Sequence, residues 1–460
     1  MHRTALAGLV TAALVVAIGC GSGASPDSSS ATVPSATSGQ ATAAKKGGRA
    51  ANWPTYHGNQ ARTGVDSTSP PLGQVHRAWA HSLDGAVYAE PLTLGSRVYV
   101  ATENNTVYAL NAKNGHVAWK RHLGTPVQGA TLPCGNIEPI TGITGTPSIS
   151  RGALYVVAFL SGYRHVLFGL RLRGGKVQLK RRVDAPGSDA RVHQERSALS
   201  TANGRVYVPF GGLTGDCGDY TGRVVSVRIR GKPHKKTYTV PVHREGGIWA
   251  PSGGAVDSAG DLFIVTGNGD ASQGFDEGNS AIRLSPKLKQ LDFYRASNSA
   301  QLNQTDTDLG SVGPTLIGPN RLFVIGKEGL GLILNAGHLG GTGGQLFSQH
   351  VCSGGAFGGL AFQAPFVYVP CTDGLHALRV SGDSFSSAWK AGSGAGAPIL
   401  AGGAVWTIDG STLHAYSPGT GGSIASFDLG GQTTHFPSPA AGGGRLFAPA
   451  GSQVIAFAGV

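Results

Sequence analysis

The chain has 460 residues, of which 40% are hydrophobic and only 13% charged, with 73 Gly and one Met. That composition excludes a disordered chain, a coiled coil and an ordinary helical bundle, all of which need more charge or more helix formers. Thirty-seven Lys+Arg against 25 Asp+Glu give a formal net charge of +12, so an anionic partner has to be weighed.

Residues 1–19 read as a signal peptide: a basic start at His2 and Arg3, an apolar run from Ala5 to Ile18 too short to span a bilayer, and small residues before Cys20. The stretch ending in Gly19-Cys20 resembles a bacterial lipobox, which implies a lipid-modified Cys20 and attachment to the extracytoplasmic face of a membrane. Residues 20–52 are rich in Ser, Ala, Thr and Gly without apolar periodicity, and are expected to be a disordered tether.

Four cysteines remain, Cys134, Cys217, Cys352 and Cys371. In an exported protein an even number favours disulfides; of three possible pairings we favour Cys134 with Cys217 and Cys352 with Cys371. Two basic runs stand out, Arg171, Arg173, Lys176, Lys180, Arg181 and Arg182, then Arg228, Arg230, Lys232, Lys235 and Lys236. No nucleic-acid motif or aromatic ladder accompanies them, so a solvated strand face is expected and nucleic acid is not a partner; a cell-envelope polyanion or lipid head groups would be the sharper reading.

From residue 53 to 460 one short phrase recurs eight times, a turn followed by an apolar-aromatic-apolar strand. Its strands centre on Tyr99, Tyr155, Tyr207, Phe263, Phe323, Tyr368, Trp406 and Phe447. Repeats of this size, each with further strands marked by Trp119, Phe293, Phe347, Trp389 or Phe427, predict an all-β fold, an eight-bladed propeller. The last repeat ends at Val460 without an outer strand. Val75 to Ala80 supplies the missing one, closing the ring and removing its open sheet edges.

Ala109, Asn111, Gly115 and Trp119, and again Ala415, Thr420 and Gly421, resemble the repeat signature of PQQ-like propellers, the superfamily of quinoprotein alcohol dehydrogenases. The segments Trp53 to Gly58 and Arg62-Thr63-Gly64 are similar to the leading segment of that superfamily. The resemblance implies either a PQQ-dependent dehydrogenase or a non-enzymatic envelope lipoprotein, so activity must be argued from the site. For an enzyme it implies a calcium held by oxygen ligands, for which Asn268 in Thr266-Gly267-Asn268-Gly269-Asp270 and Asp216 are the candidates, with Asp219 near the latter. It places the catalytic carboxylate on the strand 281–286, where the sequence has none, and an adjacent Cys-Cys pair that the chain lacks. Lys327 could contact a cofactor carboxylate.

The loops entering the innermost strands of a propeller form one mouth of its channel. There Glu195, Arg196, Trp249, Asp308 and His435 are expected to converge as a pocket for a small polar ligand. No G-x-S-x-G, H-E-x-x-H or phosphate-loop pattern occurs. The sequence thus predicts a monomeric, lipid-anchored propeller that binds a small polar ligand or an envelope protein as a scaffold. The alternative is a divergent PQQ-dependent alcohol dehydrogenase using Asp306 or Asp308 as base and Asn268 near the metal.

Overall fold

The computed structural model describes residues 52–459 apart from 70, 72 and 271–275, so the signal peptide, Cys20 and nearly all of the tether lie outside the described residues. Eight antiparallel sheets follow one another along the chain, each a blade of four main strands. In blade 1 these are Leu92–Leu94, Arg97–Ala101, Thr106–Asn111 and Val117–His122. Val, Leu, Tyr and Phe in the two middle strands of each blade are buried on both faces, whereas outer strands such as Val117–His122 are largely exposed.

Blade 8 is assembled from both ends of the chain. His76–Ser82 pairs with Gln453–Ala458, placing Trp79 opposite Ala456, as the sequence anticipated. The signature tryptophans join neighbouring blades. Trp79 donates its indole N–H to Ala112 O at 3.1 Å, Trp119 to Leu172 O at 2.8 Å and Trp389 to Pro418 O at 3.0 Å. Gly115, Gly175 and Gly421 lie beneath these rings with positive φ, and a methyl group on any of them would strike the indole.

The segment 53–66 forms an inner lining of the channel. Its backbone or side chains bond to the innermost strand of seven blades in succession: Thr93, Ile149, Thr201, Val256, Leu316, Phe362 and Leu400. Tyr56 and His57 stack with ring centroids 4.3 Å apart and fill the channel among Ala198, Leu360 and Ala397. At the centre of this plug Arg62 is fully buried, and all five of its N–H groups are met: Gly254 O, Thr55 Oγ1, Tyr56 O, Leu199 O and Ser200 Oγ accept them. Glu90 joins the plug to blade 8. It accepts from the Trp53 indole at 2.5 Å, the His57 amide at 2.8 Å and the Ser438 hydroxyl at 2.5 Å. Burial raises the Glu90 carboxyl to about 8 and lowers the His57 imidazole to about 3, so both are neutral near pH 7.

Both favoured disulfides are present, Cys134 to Cys217 and Cys352 to Cys371.

Candidate functional site

A cavity of about 220 Å³ is lined by Arg196, Trp249, Asp306, Asp308, Lys327 and Phe436, with Asn136 and residues 212–216 forming one side. Its side chains arrive on loops that precede or join the inner strands of different blades, so the closed ring fixes their relative positions. Cys134–Cys217 ties the 134–136 turn to the 213–217 loop, and this bond between distant cysteines fastens the rim.

Asp308 precedes a short 3₁₀ turn, Leu309–Ser311, and is held from two sides. The Asn268 amide donates to its Oδ1 at 2.7 Å, and the Lys327 ammonium lies 2.5 Å from its Oδ2. The same ammonium bonds Asp306 Oδ1 at 2.9 Å, which also accepts from the Asn268 side chain at 2.9 Å. Behind them Asn279 donates to Asn268 Oδ1 and Asn303 Oδ1 and accepts from the Leu309 amide, so three asparagines fix the loop. Glycine is required at position 267, because a methyl group there would collide with the Asp308 carboxylate.

The electrostatics of the pocket are uneven. Burial raises the Asp308 carboxyl above its usual value, with Lys327 and the Asn268 amide partly offsetting it. Burial also works to lower Lys327, but Asp308 and Asp306 outweigh it and hold the ammonium above the ordinary lysine value. Arg196 is 8% exposed; its guanidinium sits 5.0 Å from the Phe436 ring centroid, and its Nη2 has no hydrogen-bond partner. Leaving a buried guanidinium N–H unmet is costly; Tyr88 and Glu103 act on this guanidinium through space, and the residue lines the cavity. Three residues lining the cavity, Asp216, Asp306 and Phe436, have positive φ, the kind of backbone strain that collects at binding sites.

Of the residues singled out in the sequence, the structure brings Arg196, Trp249, Lys327, Asp306, Asp308 and Asp216 around one cavity, with Asn268 directly behind the aspartates. Two fall elsewhere. Glu195 is buried against Gly145 beside Glu103, where burial first and Glu103 second raise its carboxyl well above normal. His435 is exposed and lines a neighbouring groove with Asp409 and Thr433, because successive side chains of its segment point apart and Phe436 takes the inward place. The carboxylate expected on the strand 281–286 arrives instead from the loop at 306–308, while Arg283 on that strand pairs outward with Asp261 at 2.7 Å. Asn136 and Asn279 were not anticipated; the nearness of Asn136 to Cys134 was the one available signal.

A calcium site does not form from Asn268 and Asp216 in this arrangement. Asn268 Oδ1 is taken by Asn279, Asp216 Oδ1 accepts from Tyr220 at 2.5 Å, and the Lys327 ammonium holds the place between the two aspartates. Among the described residues, the grouping with three ligand atoms close together is Cys352, Cys371 and Asp373, whose sulfurs are joined in a disulfide. Asp219 is exposed. The cavity suits an anion better: the Arg196 and Lys327 charges line it together with Trp249, whose ring the Lys327 ammonium overlies 5.8 Å from its centroid.

The eight-bladed ring and its repeat support a PQQ-like propeller, the fold shared by the quinoprotein alcohol dehydrogenases. Residues 76–272 match the family described as outer membrane protein assembly factor BamB. Two polyvinylalcohol dehydrogenases are related in sequence. The one from Sphingopyxis sp. is 26% identical over 47% of this chain and 36% of its own length, and the one from Pseudomonas sp. is 25% identical over 66% and 53%. The chain thus spans between about a third and about half of the length of these curated relatives. In fold, a quinohemoprotein alcohol dehydrogenase from Pseudomonas putida superposes with a TM-score of 0.71 at 15% identity over 89% of this chain and 80% of that one. BamB from Moraxella catarrhalis does so at 0.56 and 14% identity over 84% and 98%.

Proposed function

We propose that the protein is a lipid-anchored, extracytoplasmic quinone-dependent dehydrogenase that oxidises an alcohol in the cavity at the channel mouth. The observation that carries this reading is the joint placement of Trp249, the unpartnered Arg196 and the Lys327–Asp308 pair on one cavity. Trp249, Arg196 and Lys327 would hold PQQ, a planar quinone bearing carboxylates, which when bound would supply the two-electron acceptor. Asp308 takes the hydroxyl proton of the alcohol. Its raised value makes it a stronger base than a solvated aspartate, and Lys327 offsets part of the rise that burial causes. The names of the two sequence relatives favour a hydroxyl-bearing polymer as substrate.

Dye reduction by the full chain loaded with PQQ, over primary alcohols, secondary alcohols and polyvinyl alcohol, tests the proposal. Turnover lost in Asp308→Asn but not in a surface variant is expected; no turnover with any alcohol sinks it.

A second reading is an envelope scaffold or binding module without catalysis, favoured by the family match over residues 76–272. It expects partner capture that survives both Arg196→Met and Asp308→Asn.

A further inference from the structure

The outer-strand tryptophan stands in blades 1, 6 and 8 and is missing from blade 2, at its joint with blade 3. Trp119 lies opposite Ala109 and Trp389 opposite Ala377, and each ring packs 6.0 and 5.8 Å from a tyrosine of its own blade, Tyr99 and Tyr368. The same position in blade 2, opposite Gly169, is Leu179, and the corresponding tyrosine is Tyr155. Without an indole to fill it, the joint between blades 2 and 3 is a cleft of about 190 Å³ beside Tyr155, flanked by Arg151 on one blade and Arg230 on the next.

The cleft opens on a wall of uncompensated charge. Residues 113–236 hold twenty basic against six acidic side chains, a surplus of 14 where the whole chain has +12. The outer strands Val117–His122, Val177–Arg182 and Lys235–Thr239 belong to three consecutive blades, and their cations are exposed. Elsewhere in the ring several cations are paired, Arg283 with Asp261, Arg321 with Asp383 and Lys390 with Asp373. On this wall Arg182 pairs with Asp184, but among the described residues no carboxylate lies within ion-pair distance of Arg151, Arg173, Lys176, Lys180, Arg230 or Lys236. Like charges this close repel, and an exposed wall that keeps them unpaired is matched to an anionic partner rather than to water alone.

We infer that blades 1 to 3 form a binding site for a linear polyanion, one of whose anionic groups seats in the cleft between Arg151 and Arg230. A chain with phosphate or carboxylate groups at regular spacing can follow the convex wall, while the cleft gives it a fixed register. This site is separate from the channel mouth and holds whether or not the protein is a dehydrogenase.

The test is titration of the full chain with long-chain inorganic polyphosphate, and in parallel with polygalacturonate, at 50 and 200 mM salt. Binding should fall roughly tenfold or more across that range, as counterion release by several engaged charges demands. Leu179→Trp places at this joint the indole that Trp79, Trp119 and Trp389 supply at theirs. It should weaken binding by about tenfold while leaving the melting temperature unchanged or higher, and Arg151→Ser with Arg230→Ser should do the same. A preference between the two polymers identifies the anionic group. Affinity independent of salt, or unaltered in Leu179→Trp, overturns the inference. So does binding to phosphatidylglycerol vesicles without binding to either polymer, which would make the wall a membrane-facing surface.

Discussion

Two arginines buried in one channel have opposite environments. Arg62, in the plug, has every N–H group met by a protein acceptor. Arg196, a short distance away at the mouth, leaves Nη2 unmet beside a cavity, near residues with strained backbone. A satisfied buried charge holds a fold together, whereas an unsatisfied one persists at a cost that a ligand can remove. The contrast separates the part of the channel that closes the ring from the part that binds.

The largest effect that would sharpen this contrast is the pair Arg62→Met and Arg196→Met. Removing Arg62 strands five buried acceptors around the plug and should cost about 4 kcal/mol in denaturant unfolding. Arg196→Met should leave stability within about 1 kcal/mol of the parent, or raise it, because it removes a buried group that lacks a partner. Equal losses would erase the distinction.

Opening the rim comes next. Cys134→Ser with Cys217→Ser frees a loop of 83 residues and should lower stability by about 3 kcal/mol while weakening ligand binding at the mouth. Retained affinity would mean that the rim does not depend on the disulfide.

The plug also predicts a pH dependence. The Glu90 carboxyl titrates near 8 in the fold and near 4.5 unfolded, so the folded state binds the extra proton between these values and stability falls as pH rises through them. The His57 imidazole titrates near 3 in the fold and 6.5 unfolded, so stability falls as pH drops from 6.5 toward 3. The two slopes cancel between about pH 4.5 and 6.5, and from 6.5 to 8 Glu90 alone should remove roughly 2 kcal/mol. Glu90→Gln should abolish that alkaline limb in urea unfolding at stepped pH, and a limb that persists would place its origin outside the plug.

The smallest effect concerns Lys327. Its replacement by Met leaves Asp308 without the ammonium that offsets burial, so the carboxyl rises further and the acid limb of turnover against pH should move to higher pH. An unmoved limb would show that Lys327 does not set the state of Asp308.

The architecture was legible because it is carried by local periodicity. Eight apolar-aromatic strands, the turn glycines beneath Trp79 and Trp119, and the terminal strand that completes blade 8 all follow from short-range pattern. The site was legible in its residue types and only partly in its geometry. Arg196 and Trp249 lie on loops whose place at the mouth follows from the ring, whereas whether Glu195 or Arg196, His435 or Phe436, points inward depends on the backbone angle of one residue, such as the positive φ of Phe436. The pairing of Lys327 with Asp308 joins residues from loops of different length whose contact is set by Asn268, Asn279 and Asn303, and no periodicity encodes it. The buried role of Arg62 was likewise hidden, since its acceptors come from the plug and from blades 3 and 4.

Calorimetric titration of the full chain with PQQ in the presence of a calcium chelator, for the parent and for Arg196→Met, tests the central claim most directly. The account predicts saturable binding of one PQQ near micromolar affinity, about 8 kcal/mol, in the parent. Arg196→Met should bind at least tenfold more weakly at an unchanged melting temperature. No heat from the parent, or equal affinity in the two proteins, would contradict it.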